Sequence, residues 1–190
     1  MPDTEPRATT QTRTPRAIGI EHMVEATIRL LQDRSPEQIT VRDIAEASGH
    51  HHRFVQAWFG GKVGLLRAVF DRLLEDVVRR IPTPLVARDG FTREVHTVAL
   101  LMNWLMAAEP GSLDAPRPMP IVDRVISVYR DEFGLDEDLA RMMALRLVGG
   151  AVSIILFSGP LGITKDELPA LMQLEIDLAR LLSRSRATID

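Results

Sequence analysis

The sequence predicts an all-α fold of about nine helices. Apolar residues recur at intervals of three and four through most of the 190 residues, which is the spacing of one helical face. No convincing run of alternating apolar and polar residues indicates a strand. Proline or glycine separates the periodic segments, as at Pro82 and Pro84 and again at Pro110 and Gly111, where a helix is expected to end.

Eight segments carry this periodicity. Their approximate bounds are residues 15–33, 41–47, 51–58, 63–80, 91–108, 120–133, 136–157 and 165–184. Asp136, Glu137 and Asp138 open the seventh segment, where negative charge is favourable beside a helix N-terminus. Gly159 and Pro160 then interrupt the apolar sequence, and we expect them to end that helix.

The second and third segments are joined by a tight turn. Thr40 is a good N-cap, and Asp43 stands three residues later as an acidic variant of the capping box. Gly49 falls where a residue in the left-handed conformation ends a helix at no steric cost. Ala45 is small, so the next helix can cross closely. Two short helices joined in this way are typical of a helix-turn-helix, whose second helix enters the major groove of DNA.

The second of these helices has two distinct sides. Val55 and Phe59, four residues apart, form one apolar stripe. His52, Arg53 and Gln56 project from the opposite side, and we expect them to contact bases. We expect four other side chains to position the protein on phosphates, namely Thr40, Arg42, Trp58 and Lys62. The full set of candidate DNA contacts is Thr40, Arg42, His51, His52, Arg53, Gln56, Trp58 and Lys62.

A set of spaced positions extends over residues 15–75. It comprises the stretches 23–31 and 40–45, the pair Ser48-Gly49, the single residues Val55, Phe59 and Lys62, and the pair Leu65-Leu66. In this combination the chain resembles the TetR family of bacterial transcriptional regulators. The resemblance implies a helix-turn-helix DNA-binding domain over residues 15–62, a connecting helix over 63–80, and a domain over 81–190 for ligand binding and dimerisation.

The polar side of the third helix departs from the family pattern. His50 and His51 stand where the family usually has a small apolar residue and a serine, and Arg53 often replaces a glycine. Gln56 stands where a tyrosine typically touches a phosphate, so only an amide is available there. The operator sequences of relatives therefore do not transfer to this chain. A second hypothesis is a small-molecule-binding or scaffold helical dimer that has lost sequence-specific DNA binding.

Charge is balanced in the proposed DNA-binding part. The whole chain has a net charge of −3, whereas residues 1–62 hold eight Lys or Arg and eight Asp or Glu. Attraction to phosphates would come from the local placement of a few cations rather than from a basic domain. Residues 1–14 are rich in Thr, Pro and Arg and lack apolar periodicity, which predicts a disordered arm.

Composition indicates a cytoplasmic protein. The absence of cysteine excludes disulfides and thiolate metal sites and suits a reducing compartment. No signal peptide is visible, because the first fourteen residues lack an apolar core. The uncharged run 147–164 is about long enough to span a membrane. Because glycines and Pro160 interrupt this run, we interpret it as a buried helix followed by a loop, without membrane contact.

Two motifs imitate chemical sites. His50, His51 and His52 are consecutive, and neighbours on a helix point about 100° apart, so one helical face does not direct them at a single ion. The glycine-rich stretch 60–64 lacks the earlier glycine of a phosphate loop, and Val63 stands where Ser or Thr would bind magnesium. No Ser–His–acid or paired-carboxylate arrangement has suitable spacing. We therefore expect no metal, no cofactor and no enzymatic activity.

The last two predicted helices have wide apolar surfaces. The final helix leaves little polar side, so one side packs within the subunit and another requires a partner. On the preceding helix, glycines each cost about 1 kcal/mol against alanine, which close approach by another helix would offset. We expect a four-helix bundle between two subunits, or else glycines that only let helices cross within one subunit. The predicted dimer contacts are Gly149, Gly150, Ser153, Leu171, Met172, Leu178 and Leu182.

The resemblance also implies a ligand pocket among the central helices, whose occupation changes the distance between the two DNA-binding units. Methionines suit an adaptable, mostly apolar cavity, and His96 or Arg146 would serve as a polar anchor. The alternative is that these side chains are ordinary core. The candidate lining residues are His96, Met102, Trp104, Met106, Tyr129, Met143, Arg146 and Phe157.

The first hypothesis is therefore a ligand-responsive transcriptional regulator that acts as a repressor. We expect a homodimer to bind a palindromic operator in double-stranded DNA and to release it when a small, largely apolar effector binds. Two copies related by a dyad double the base contacts, with half-sites about 34 Å apart or more.

Overall fold

The structure is a computed structural model that describes residues 16–81, 89–110, 119–164 and 166–186. Within these ranges the chain forms eight α-helices and no strand, which confirms the all-α fold, with one helix fewer than the count of about nine. The predicted arm over residues 1–14 lies outside the described residues. The helices are α1 (Arg16–Leu30), α2 (Val41–Ser48), α3 (Arg53–Phe59), α4 (Lys62–Arg80), α5 (Asp89–Ala108), α6 (Pro120–Phe133), α7 (Glu137–Leu161) and α8 (Glu167–Arg186).

Residues at the two ends of α2 fix this short helix. The Thr40 hydroxyl accepts a hydrogen bond from the Asp43 amide at 3.1 Å, and the Asp43 carboxylate accepts one from the Thr40 amide at 2.8 Å. The hydrogen bond from the Thr40 hydroxyl holds the pKa of the Asp43 carboxyl below its ordinary value. At the other end Gly49 has φ +70°, and the His50 amide donates to the Ala45 carbonyl at 3.0 Å. The turn into α3 therefore depends on residues within the turn itself.

Three apolar clusters hold the helices together. The first runs from α1 through α5 and includes Met23 and Leu105. The second joins Ile81 to α6, α7 and α8, and the third is a small contact between Ala99 of α5 and Ile155 of α7. We call α1–α3 the helix-turn-helix unit. Its core is continuous with α4 and α5, so α4 packs on this unit and on the second half of the chain.

The seventh helix is longer than the sequence predicts. α7 continues past Phe157 through Gly159 and Pro160 to Leu161, and it ends at Gly162 with φ +66°. Proline removes one helical hydrogen bond, and in the last turn of α7 few later bonds depend on it. The run expected to be a helix and a loop is therefore mostly one helix. In the described ranges α7 alone is long and apolar enough to cross a membrane, by length and composition only.

Candidate nucleic-acid interface and ligand cavity

Six of the eight predicted DNA contacts are exposed side chains around α2 and α3. We call them the polar face: Thr40, Arg42, His51, His52, Arg53 and Gln56. Arg53 is the first residue of α3, and Gln56 follows about one turn later. In helix-turn-helix proteins the N-terminal residues of the second helix contact base edges. In this chain the first turn of α3 carries the permanent cation of Arg53 and the amide of Gln56, which both donates and accepts hydrogen bonds.

An aromatic column supports Arg53. Its guanidinium carbon lies 5.0 Å from the centroid of the Phe54 ring, and Phe54 stacks on Trp58 with centroids 4.4 Å apart. Trp58 packs against Gly19 of α1, where an added Cβ would lie 2.5 Å from the indole. The absence of a side chain at Gly19 therefore lets α3 approach α1. Trp58 is a half-buried packing residue and does not share the exposed position expected for a phosphate contact.

A histidine pair that sequence analysis missed joins α1 to the turn. His50 Nε2 lies 3.3 Å from His22 Nδ1, and the two rings stack with centroids 5.5 Å apart. The edge of the His50 ring also meets Trp58. His51 Nδ1 instead accepts a hydrogen bond from the Arg53 amide at 3.2 Å. His50 thus contacts α1, whereas the ring of His51 lies against that of His52 with centroids 4.2 Å apart. In the described ranges no three His, Asp or Glu side chains form a group able to hold a metal ion.

Lys62 points into the protein. Its Nζ donates a hydrogen bond to the Pro36 carbonyl at 2.7 Å and lies 5.2 Å from the centroid of the Trp104 ring. Burial lowers the pKa of Lys62, and the charges of Glu37 and Asp43 oppose this shift. Lys62 therefore ties the segment before α2 and the start of α4 to α5. The Lys62 side chain therefore points away from the surface on which a phosphate contact was expected. Trp104, predicted to line a ligand pocket, contacts Lys62 instead and is absent from the cavity wall.

The junction between α3 and α4 also requires close contact. A Cβ added at Gly64 would lie 1.8 Å from the Phe59 carbonyl oxygen. One turn later Arg67 forms an ion pair with Glu109, just after the end of α5. Together with Lys62, these contacts hold α3, α4 and α5 in one arrangement.

An apolar cavity of about 70 Å³ lies among α4, α5, α6 and α7. It occurs where the three apolar clusters meet, with Leu74 from the first, Val125 from the second and Ala99 from the third. The described residues of its lining are all apolar. Of the eight predicted lining residues, Met102 alone contributes to this wall.

The other predicted lining residues lie elsewhere. Tyr129 and Met143 are buried in the second cluster, where burial, assisted by the charge of Glu175, raises the pKa of the Tyr129 phenol. Arg146 is exposed, and its Nε donates to a Glu175 carboxylate oxygen at 3.0 Å. Three more are exposed, namely His96, Met106 and Phe157. Neither predicted polar anchor belongs to the cavity wall.

The predicted dimer contacts on α7 and α8 differ in exposure, and Leu178 and Leu182 pack partly against the second apolar cluster of the same subunit. Gly149 and Ser153 are exposed, while four others are half-buried, namely Gly150, Leu171, Leu178 and Leu182. The side chain of Met172 lies outside the described residues. In the described parts of the chain, a methyl group added at Gly149 or Gly150 would meet no atom within 4 Å. Among the described residues, no close helix crossing within the subunit accounts for these glycines.

Larger apolar side chains are exposed on the same two helices. Six on α7 and α8 are between 49% and 63% exposed, namely Met142, Leu145, Phe157, Leu161, Leu174 and Leu181. Exposed apolar side chains grouped on two neighbouring helices are typical of surfaces that contact a partner.

The arrangement of helices matches solved structures of TetR-family proteins. The TetR-family repressor AlkX from Dietzia sp. strain DQ12-45-1b, implicated in biodegradation of n-alkanes, is similar with a TM-score of 0.56 and 17% identity, over 90% of this chain and 97% of that chain. A TetR-family transcriptional regulator from Streptomyces coelicolor is similar with a TM-score of 0.53 and 19% identity, over 90% of this chain and 83% of that one. No protein-family model and no curated protein matches the sequence. The chain has the fold of the TetR family of transcriptional regulators.

Proposed function

We propose that the chain is a DNA-binding transcriptional regulator, and the polar face is the observation that carries this proposal. Its residues are exposed on a unit whose turn and approach to α1 are fixed by the contacts of Gly49 and Gly19. The guanidinium of Arg53 can bind the O6 and N7 atoms of guanine in bidentate fashion. His52 and Gln56 would read neighbouring base edges, while the start of α2 would contact phosphates.

The proposed regulator is a homodimer formed through α7 and α8. Positions 142, 145, 149, 153 and 157 of α7 follow one another at intervals of three or four and are all exposed. Leu174 and Leu181 are seven residues apart on α8 and extend this surface. A partner subunit would cover the side of α7 that gives the helix its membrane-like composition. We therefore place the protein in the cytoplasm without membrane contact.

The proposed effector is a small, largely apolar molecule that binds in the cavity. α4 lines the cavity through Phe70, Leu74 and Val77, and its first turn contacts α3 at Gly64. An occupant that widens the cavity would displace the helix that carries the helix-turn-helix unit. In a dimer this displacement changes the spacing between the two polar faces. Release of the operator follows, so the protein acts as a repressor and as a binding protein rather than an enzyme.

The test of DNA recognition is selection of random DNA duplexes by the purified full-length protein. Recovery of a palindrome supports the proposal, because a symmetric dimer presents two copies of the same face. Weak binding without sequence preference, which disappears as salt is added, contradicts it. That result would favour the small-molecule-binding or scaffold dimer.

Replacing Arg53 by alanine tests the polar face itself. We expect the free energy of operator binding to become less favourable by about 1–3 kcal/mol per half-site. Discrimination between bases should weaken at one position of each half-site. Arg130→Ala is the matched control, because Arg130 is an exposed arginine on α6. The control should bind like the unmodified protein. Unchanged affinity in the Arg53 variant would show that Arg53 contacts no base.

A further inference from the structure

Among the described residues, the wall of the cavity contains no hydrogen-bonding side chain. It is formed by four helices, with such residues as Phe70, Val98, Met102, Val125, Leu147 and Val152. A ligand group that donates or accepts hydrogen bonds would lose its water partners here and find no replacement. Polar ligands are therefore disfavoured by the wall as a whole and not by one side chain.

Three of the polar residues predicted to line the pocket are absent from this wall. His96 and Arg146, the predicted anchors, are exposed and outside the wall, and the Arg146 side chain binds Glu175. The Tyr129 ring belongs to the second cluster and also lies outside the wall. We propose that the cavity binds a small neutral hydrocarbon, or a hydrocarbon group without hydrogen-bonding atoms. This deepens the proposed function, and only the regulatory effect of the ligand rests on that function.

The size of the cavity limits its occupant. Its volume is about 70 Å³, whereas an engineered apolar cavity of about 150 Å³ holds benzene. A ligand of that size must therefore widen the wall. Met102 and Met119 are unbranched and flexible enough to move aside, while Ala99 and Ala151 occupy little space. The occupant is accordingly no larger than one six-membered ring with a small substituent, or a short chain.

Toluene and phenol are suitable probes, because they have similar size and differ by a methyl group against a hydroxyl group. We expect saturable binding of toluene to the full-length, DNA-free protein in ligand-observed NMR, with affinity at least about tenfold higher than that of phenol. Equal binding of the two, or no binding of toluene, overturns the proposal. Because toluene also partitions more readily onto any apolar surface, variants of the wall must decide where it binds.

Two alanines of α5 provide a matched pair of variants. Ala99 lines the cavity and is buried, whereas Ala107 is exposed on the same helix. Ala99→Leu fills the cavity and should weaken toluene binding at least about tenfold, whereas Ala107→Leu should leave it unchanged. Equal binding by both variants overturns the assignment of the site.

A conservative variant keeps the test valid if Ala99→Leu does not fold. Val98→Thr nearly preserves volume and adds a hydroxyl to the wall. We expect this variant to lower the ratio of toluene affinity to phenol affinity by about tenfold. An unchanged ratio contradicts the proposal. Operator selection is carried out on the same protein without ligand. Failure of toluene binding with intact operator binding removes the hydrocarbon assignment alone, whereas failure of operator binding removes the regulatory function.

Discussion

The helix-turn-helix unit and the second half of the chain present opposite kinds of functional surface. The polar face is exposed and comes from one stretch, residues 40–56. The cavity is apolar, and its wall draws on four helices between Phe70 and Val152. One surface depends on local turns, and the other on how several helices pack. A single exposed substitution can therefore alter the polar face alone, whereas a change in the cavity wall is felt by several helices.

The largest expected effect concerns the junction between these two regions. Gly64→Ala would place a methyl group 1.8 Å from the Phe59 carbonyl oxygen, so α3 and α4 would have to separate. We expect the free energy of unfolding to fall by about 3 kcal/mol and operator binding to be lost. A urea titration followed by tryptophan fluorescence measures the first effect. Unchanged stability would mean that this junction adjusts freely and does not fix the helix-turn-helix unit.

The same substitution at Gly149 tests the apolar surface of the second half. The new methyl group meets no described atom within 4 Å, and alanine favours the helix by about 1 kcal/mol. In the proposed dimer, however, it would push the facing helices apart. We expect the dissociation constant of the dimer to rise about tenfold, measured by sedimentation over a dilution series. A dimer as tight as the unmodified one would place Gly149 outside the interface.

The smallest expected effect is at the border between the regions. The ammonium group of Lys62 binds the Pro36 carbonyl, so Lys62→Met should leave the salt dependence of operator binding unchanged. Arg42→Ala, on the polar face, should reduce the slope of log affinity against log salt by about one. Operator titrations at several salt concentrations measure both slopes. An equal reduction for the two variants would mean that Lys62 turns towards a phosphate in the complex.

The sequence predicted the helix-turn-helix well because its signals are local. Thr40, Asp43 and Gly49 specify the ends of α2, and each makes the contact or adopts the backbone conformation expected of it. The spacing placed the start of α3 two residues too early. His51 and His52 were placed in the helix, but they form the turn before it, since the helix begins at Arg53.

Contacts between residues far apart in the sequence leave little trace in its periodicity. No periodicity indicates that Gly19 meets Trp58, or that Lys62 lies beside Trp104. A glycine inside α1 costs about 1 kcal/mol relative to alanine. Of these residues, Gly19 is therefore the one whose type indicates that another element approaches the helix there.

Most of the residues that line the cavity were missed for a different reason. α5 and α7 are apolar on most of their circumference, so helical spacing does not separate their inward and outward sides. Large side chains such as Met106 and Phe157 were predicted to line the pocket, but the structure exposes them. Small ones such as Ala99 and Val152 leave the space that forms the cavity.

The first apolar cluster has a practical consequence for protein engineering. It continues from the helix-turn-helix unit through α4 to Leu101 and Leu105 of α5. A fragment cut after Lys62 would lose the α4 and α5 members of this cluster, so Met23 and Val55 would be less completely buried. Exchange of DNA specificity with a relative therefore requires a graft that includes α4 and the side of α5 beneath it. A chimera joined directly after α3 would lack the α4 and α5 residues that complete this apolar cluster.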